Sequence, residues 1–236
     1  MLNMIPIHSP PLQPPLSCLI NCLIDLDIVE EKTGNNTGHL LFPSHNVNAN
    51  VDRLTHILYL ATESYNVEEM DRYGSPLVQV LLHIAESAPL NPKTRLQVLL
   101  LPSRQDRAAA LGSGDSLPAR LLRLSTAPTC NLGDLILALL FELSDKDPKQ
   151  FIRNISYGFA AGFLLSRGVQ LPENALESWT AANVDNSNAG RNSGRFMVNP
   201  TTGQRLDMEP TVQVPEMTDE EKEREAERLF VLFERC

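Results

Sequence analysis

The sequence is poor in aromatic residues, in cysteine and in positive charge. Aromatic residues make up 6% of the 236 residues, and no segment alternates apolar and polar residues for long enough to indicate a strand. Four cysteines are too few for a disulfide framework in a chain of this length, which favours a reducing compartment. The net charge of −9 disfavours a nucleic-acid binder, because neutralising phosphates requires a basic surface.

Long apolar runs and catalytic motifs are also missing. The longest apolar run, residues 16–28, contains Asn21, Asp25 and Asp27 and is too short to span a bilayer. The first residues lack the positive charge of a signal peptide, and prolines interrupt the segment after them. The five histidines do not cluster with a nucleophile, and common catalytic motifs are absent. We therefore expect a cytoplasmic protein that is not an enzyme and has no cofactor, no metal and no integral membrane segment.

Leucine-rich segments with helical spacing fill much of the chain. The clearest covers residues 131–143, where apolar residues recur at i, i+3 and i+4. Residues 77–88 are apolar nearly all round, which is typical of a buried helix. Four further positions have the residue types that start or cap helices: Asn50, Ser75-Pro76, Asn91-Pro92 and Asp147-Pro148. Short helices stacked in pairs are the fold that such a sequence favours.

Changes in composition divide the chain into four parts. We predict an extended proline-rich start (1–15), armadillo-like helical repeats (16–171), a flexible and partly disordered linker (172–217) and a C-terminal helix (218–236). Thr218 and Glu221 form a capping box at the start of that last helix. Its apolar stripe is long enough to require a packing surface, on this chain or on a partner.

Two pairs of small residues could carry more specific meanings. Cys18 and Cys22 are spaced to place two thiolates on one helical face, but no second pair completes a metal site. We interpret them as buried structural cysteines; a thiol- or metal-dependent enzyme is the least favoured alternative. Gly158 and Gly162 have a G-x-x-x-G spacing, which we interpret as close packing of two helix backbones.

Four segments, in this order, resemble the C-terminal part of the synembryn family (resistance to inhibitors of cholinesterase) in a fungal form. They are Leu139-Leu140-Phe141-Glu142-Leu143-Ser144-Asp145-Lys146-Asp147-Pro148, Tyr157-Gly158-Phe159-Ala160-Ala161-Gly162-Phe163, Asn199-Pro200-Thr201-Thr202-Gly203 and Met217-Thr218-Asp219-Glu220-Glu221-Lys222-Glu223-Arg224-Glu225-Ala226. The resemblance covers residues 117–235 well and extends more loosely to about residue 16. It implies an all-α, armadillo/HEAT-like superhelix.

The resemblance also implies a function. Members of the family bind nucleotide-free α subunits of heterotrimeric G proteins (Gα), both as folding chaperones and as guanine-nucleotide exchange factors. They are longer, so we expect a truncated form here, recruited to the plasma membrane through the G protein. The alternative is a generic helical-repeat interaction scaffold without exchange activity. On the last helix we predict five partner-binding residues: Glu221, Arg224, Arg228, Leu229 and Phe233.

Overall fold

The described part of the chain consists mainly of α-helices. The computed structural model describes residues 6–24, 42–43, 45–169, 199, 201–209 and 224. Its α-helices are α1 (Leu16–Ile24), α2 (Ala49–Ser64), α3 (Val67–Glu69), α4 (Ser75–Ser87), α5 (Leu90–Leu100), α6 (Leu117–Ser125), α7 (Leu132–Leu143), α8 (Pro148–Ile155) and α9 (Tyr157–Ser166). A π-helical turn covers Met70–Gly74, and 3-10 turns cover Asp106–Ala108 and Leu206–Met208. These ranges contain no strand, and the predicted all-α class is confirmed.

Two helices form the centre of the core. α4 packs against α1, α2 and α7, and α7 also contacts α6, α8 and α9. The prediction of a buried helix in residues 77–88 is confirmed, since Leu77, Leu81 and Ile84 are almost completely buried. This stacking of neighbouring helices is consistent with an armadillo/HEAT-like superhelix. Among the helices in the described ranges, none has the length and apolar character needed to cross a bilayer.

A cluster of three phenylalanines joins the last helices. Phe141 of α7, Phe151 of α8 and Phe163 of α9 lie with their ring centroids 5.2, 5.7 and 5.8 Å apart, in edge-to-face arrangements. Such pairs add a geometric preference to the burial of apolar area. The cluster therefore joins α7, α8 and α9 in one part of the core.

Two predicted helix starts are slightly misplaced. Asn50 is the second residue of α2, which begins at Ala49 after Asn48, and Asn91 is the second residue of α5, which begins at Leu90. The predicted start at Ser75-Pro76 is confirmed: α4 begins at Ser75 with the proline in its first turn, and the π turn leads into it without a break. Pro76 has no N–H to donate, and a widened turn before it accommodates the missing hydrogen bond. The α3 helix before the π turn begins after Asn66, which makes a capping box with Glu69.

Asp71, on the π turn, caps a helix that is distant in the sequence. Its carboxylate accepts hydrogen bonds from the backbone N–H groups of Cys130 (3.1 Å), Asn131 (3.2 Å) and Leu132 (2.8 Å) at the start of α7. The Leu132 hydrogen bond is the largest of the effects that hold the pKa of Asp71 below its ordinary value of 3.8. The negative charge also complements the positive end of the α7 dipole.

The substitution Asp71→Asn should lower the midpoint of thermal unfolding by roughly 2–4 °C at pH 7, because asparagine keeps one acceptor oxygen but loses the second one and the negative charge at the start of α7. Because the folded-state pKa is depressed, the contribution of Asp71 is complete above the unfolded-state value and disappears as the pH falls through the folded-state value. The difference between variant and wild type should therefore shrink below about pH 4. Calorimetry at pH 7 and below about pH 4 measures this difference in unfolding midpoint. Glu86→Gln, which removes an exposed carboxylate of α4, is the control; equal effects of the two changes would contradict the capping role.

Several predictions concern residues outside those described. The Thr218–Glu221 capping box lies outside the described ranges, as does most of the predicted linker. Residues 199 and 201–209, within that linker range, lie against the helical body. The four-part division of the chain remains a prediction.

Candidate functional site: a docked segment beside the last helices

Residues 199 and 201–209, here called the docked segment, return to the helical body far from their place in the sequence. The N–H of Leu111 donates to the carbonyl of Thr202 at 2.9 Å, and the N–H of Arg205 donates to the carbonyl of Arg107 at 2.8 Å. Within the segment, the N–H of Gly203 donates to the carbonyl of Asn199 at 2.8 Å and closes a turn. The docked segment is therefore held mainly by its backbone.

Arg107 connects the docked segment to the end of α8. Its Nη2 donates to the carbonyl oxygens of Arg153 and Asn154, at 2.7 Å each, and its Nη1 donates to the carbonyl of Gly203 at 3.4 Å. The last carbonyls of a helix lack partners within the helix, and a cation there also meets the negative end of the helix dipole. The side chain of Arg107 thus caps α8 and holds the docked segment with the same guanidinium group.

Burial changes the acid–base behaviour of this arginine. Arg107 is 9% exposed, and burial lowers the pKa of its guanidinium to about 10. The group remains protonated at neutral pH. The carbonyl oxygens around it replace part of the water that a buried cation loses, which is the usual condition for burying a charge.

The junction between α8 and α9 carries the other anchor. Ser156 is completely buried and has a φ of 74° and a ψ of 161°, a backbone conformation that side chains rarely adopt. Its hydroxyl donates to the carbonyl of Thr201 at 3.2 Å. Strain of about 1–3 kcal/mol is typical of such a conformation, so the surrounding contacts must stabilise it.

Two glycines allow the backbone of the docked segment to approach. A Cβ on Gly158 would lie 2.6 Å from the carbonyl oxygen of Thr201, and one on Gly203 would overlap the side chain of Leu111. Gly203 also has a positive φ of 71°, which favours glycine. By contrast, a Cβ on Gly162 would meet nothing within 4 Å. The predicted packing of two helix backbones at Gly158 and Gly162 is therefore wrong: Gly158 faces the docked segment, and Gly162 faces open space.

An open cleft of about 310 Å³ lies between α7 and α9, next to the docked segment. Glycines and hydroxyl residues line it together with Leu137, Phe159 and Phe163, and the end of α6 contributes Ser125 and Thr126. The charged residue in the lining is Asp134, which pairs with Arg167 at 2.8 Å on the surface. The lining contains one charged side chain and no cluster of charges, so the cleft by itself does not define a ligand.

The predicted partner-binding residues lie almost entirely outside the described ranges. Arg224 is the exception, and it is helical and exposed. Glu221, Arg228, Leu229 and Phe233 are not described, so their role stays a prediction. The sequence indicated the Asn199–Gly203 motif, but it gave no signal for Arg107, which lies in an irregular segment without periodicity.

The predicted burial of two cysteines is wrong. Cys18 and Cys22 are both exposed on α1, because the buried face of that helix is taken by Leu16, Ile20 and Leu23. In the part of the chain that the structure describes, no three His, Cys, Asp or Glu residues come close enough to hold a metal ion. The docked segment is instead fixed by backbone carbonyls, backbone amides, one hydroxyl and one guanidinium, a set suited to holding a chain segment in place.

These features define a class: all-α proteins of stacked short helices against which a later part of the same chain is docked. The family described as guanine nucleotide exchange factor synembryn matches residues 1–236. The chain belongs to this family, and the resemblance seen in the sequence is confirmed.

Several curated relatives are similar to the chain. A synembryn-like chaperone of Schizosaccharomyces pombe is 34% identical over 164 residues, which are 68% of this chain and 31% of the relative. The protein named chaperone Ric-8A of Mus musculus is 27% identical over 189 residues, 79% of this chain and 35% of the relative. The chaperone Ric-8A of Xenopus laevis is 29% identical over 161 residues, which are 67% of this chain and 30% of the relative. The chain thus spans about a third of the length of these relatives. No solved structure matches the chain.

Proposed function

We propose that this protein binds nucleotide-free Gα and acts on it both as a guanine-nucleotide exchange factor and as a folding chaperone. The observation that carries the proposal is the match of the synembryn exchange-factor family to residues 1–236. The names of the relatives, chaperone in each case, support the second role. The protein itself would perform no covalent chemistry and is not an enzyme in this proposal.

Exchange of this kind requires a difference in affinity. A partner that binds the open, empty Gα more tightly than the nucleotide-bound form shifts the population toward the empty form, and only that difference produces the shift. To change the ratio of empty to nucleotide-bound Gα from 1:99 to 99:1, the partner must bind the empty form about 10⁴-fold more tightly. A stack of helices supports this proposal, because it offers a large and rigid surface without needing a reactive group.

The docked segment supports a contact role for the last helix. Residues 201–205 bond to the body near the α8–α9 junction, and we propose that the later part of the chain reaches Gα from this side. Tethering a second contact in this way raises its effective concentration. We propose that Glu221, Arg224, Arg228, Leu229 and Phe233 contact Gα from there.

The experiment that tests the exchange function measures GDP release from purified Gα with and without this chain, together with co-purification in nucleotide-free buffer. Faster release with a stable complex is the expected result. A complex without faster release would restrict the function to the chaperone role. Equal binding to empty and GDP-bound Gα would overturn the proposal and favour a helical-repeat scaffold without exchange activity.

The double substitution Leu229→Ala, Phe233→Ala should weaken binding of nucleotide-free Gα by about tenfold, because it truncates two apolar side chains of the predicted contact stripe. Titration of labelled Gα measures the change. Glu227→Ala is the control, since it lies about 200° around the predicted helix from Leu229. A lower melting temperature with unchanged binding would instead mean that the stripe packs on this chain.

Location follows from the partner in this proposal. The protein would be cytoplasmic and would reach the plasma membrane with Gα. Fractionation of cells with and without Gα tests this, and membrane association that persists without Gα would contradict it.

A further inference from the structure

The outer face of α1 carries two free thiols. Cys18 and Cys22 are both exposed and separated by one helical turn. Unpaired cysteine is among the most buried residue types, so two exposed cysteines on one face are unusual. Leu16, Ile20 and Leu23 are buried on the opposite side and fix the orientation of this face.

The spacing of Cys18 and Cys22 on the helix suits an atom that bridges their two sulfurs. It does not suit a direct disulfide bond. Residues four apart on a helix have Cβ atoms about 5–6 Å apart. A disulfide needs Cβ atoms about 3.8 Å apart, so it would require α1 to unwind. Two metal–sulfur bonds of the length found at zinc, about 2.3 Å each, span up to about 4.6 Å between sulfurs, which an intact helix can supply.

The two thiolates select for a soft ion. Residues 6–24 contain no Asp, Glu, Lys or Arg, and Asp25 and Asp27 follow directly after α1. Hard cations such as Mg²⁺ or Ca²⁺ require several oxygen ligands, whereas thiolates select soft ions such as Cu(I). Zinc prefers four ligands, and the described residues place no third His, Cys, Asp or Glu beside this pair.

We propose that Cys18 and Cys22 form a two-thiolate binding site for a soft monovalent metal ion of the Cu(I) class. Two thiols and one Cu⁺ give a bis-thiolate complex with one negative charge and release two protons. No oxidation or reduction takes place in this step. The site lies on a different helix from the docked segment and is independent of the function proposed above.

Titration of the full chain with Cu(I), under anaerobic reducing conditions and against a coloured Cu(I) chelator, tests the site. We expect one Cu(I) per chain to be held against the competitor by Cys18 and Cys22. Single substitutions Cys18→Ser and Cys22→Ser should each weaken that binding at least 100-fold. Cys130→Ser is the matched control, because Cys130 is also a free and exposed cysteine; it should bind as the wild type does.

Circular dichroism of each variant separates loss of the site from loss of the fold, since serine is nearly isosteric with cysteine. Unchanged Cu(I) affinity in either single variant at Cys18 or Cys22 would overturn the proposal. Loss of the bound Cu(I) in the Cys130→Ser variant would also overturn the proposal. Phenylarsine oxide provides a second readout: it condenses with two neighbouring thiols, releasing one water, and should label the wild type and Cys130→Ser but neither of the other variants.

Discussion

Replacing Arg107 with methionine should lower the free energy of unfolding by about 3 kcal/mol, the range expected when buried hydrogen-bond partners lose a charged donor. Methionine can fill much of the space but donates no hydrogen bond. The carbonyls of Arg153 and Asn154 at the end of α8 lose donors at 2.7 Å, and the carbonyl of Gly203 loses one at 3.4 Å. The docked segment should then detach from the body more readily than α8 unfolds.

Urea unfolding measures the first effect of Arg107→Met, and hydrogen exchange measures the second. Protection of the Arg205 N–H should fall more than protection of amides inside α4. Arg107→Lys should give an intermediate loss, because an ammonium group cannot reach all of these carbonyls at once. Arg72→Met, on the exposed side of the π turn, should change stability by no more than about 0.5 kcal/mol. Unchanged protection at Arg205 would contradict the anchoring role of Arg107.

The second large effect concerns Gly158. Adding a methyl group there places a carbon 2.6 Å from the carbonyl oxygen of Thr201, a distance at which the docked segment must move. We expect Gly158→Ala to destabilise the protein by about 1–3 kcal/mol, as overpacking of a well-packed contact usually does. The hydrogen bond from the Ser156 hydroxyl to Thr201 should weaken at the same time.

Gly162 offers a matched control on the same helix. Nothing lies within 4 Å of an added Cβ there, and α9 continues on both sides. Gly162→Ala should therefore stabilise the protein by about 0.5–1 kcal/mol, through helix propensity alone. Opposite signs for the two substitutions in thermal unfolding are the expected result. Destabilisation by both would mean that α9 packs against another backbone along its whole length, as the G-x-x-x-G spacing indicated.

Local signals predicted the helices well where they were strong. The apolar spacing of residues 131–143 and the Asp147-Pro148 start correspond to α7 and α8, and the Asp147 side chain accepts from the N–H of Lys149 as a cap. The starts at Asn50 and Asn91 were misplaced by a residue or two, because residue types that cap or start helices also occur just inside them. Residue type alone does not separate these cases.

The burial of single residues was less predictable than the helices. Cysteine is a residue type that is usually buried, yet Cys18 and Cys22 are both exposed. Only one face of α1 can pack against α4, and Leu16, Ile20 and Leu23 already occupy that face. The surroundings of Gly158 and Gly162 were equally hard to predict from the sequence. Their spacing is equal, but one meets the docked segment and the other meets solvent.

The sequence by itself determined the all-α class, the order of the main helices and membership of the synembryn family, since periodicity, capping residues and short motifs are local properties of the chain. Only the tertiary structure decided that Arg107 caps α8 and holds the docked segment, and that Asp71 caps α7. These contacts join residues 46 to 96 positions apart or 59 to 61 positions apart. Their partners are backbone amides and carbonyls, which every residue carries, so no pattern of side chains could have indicated them.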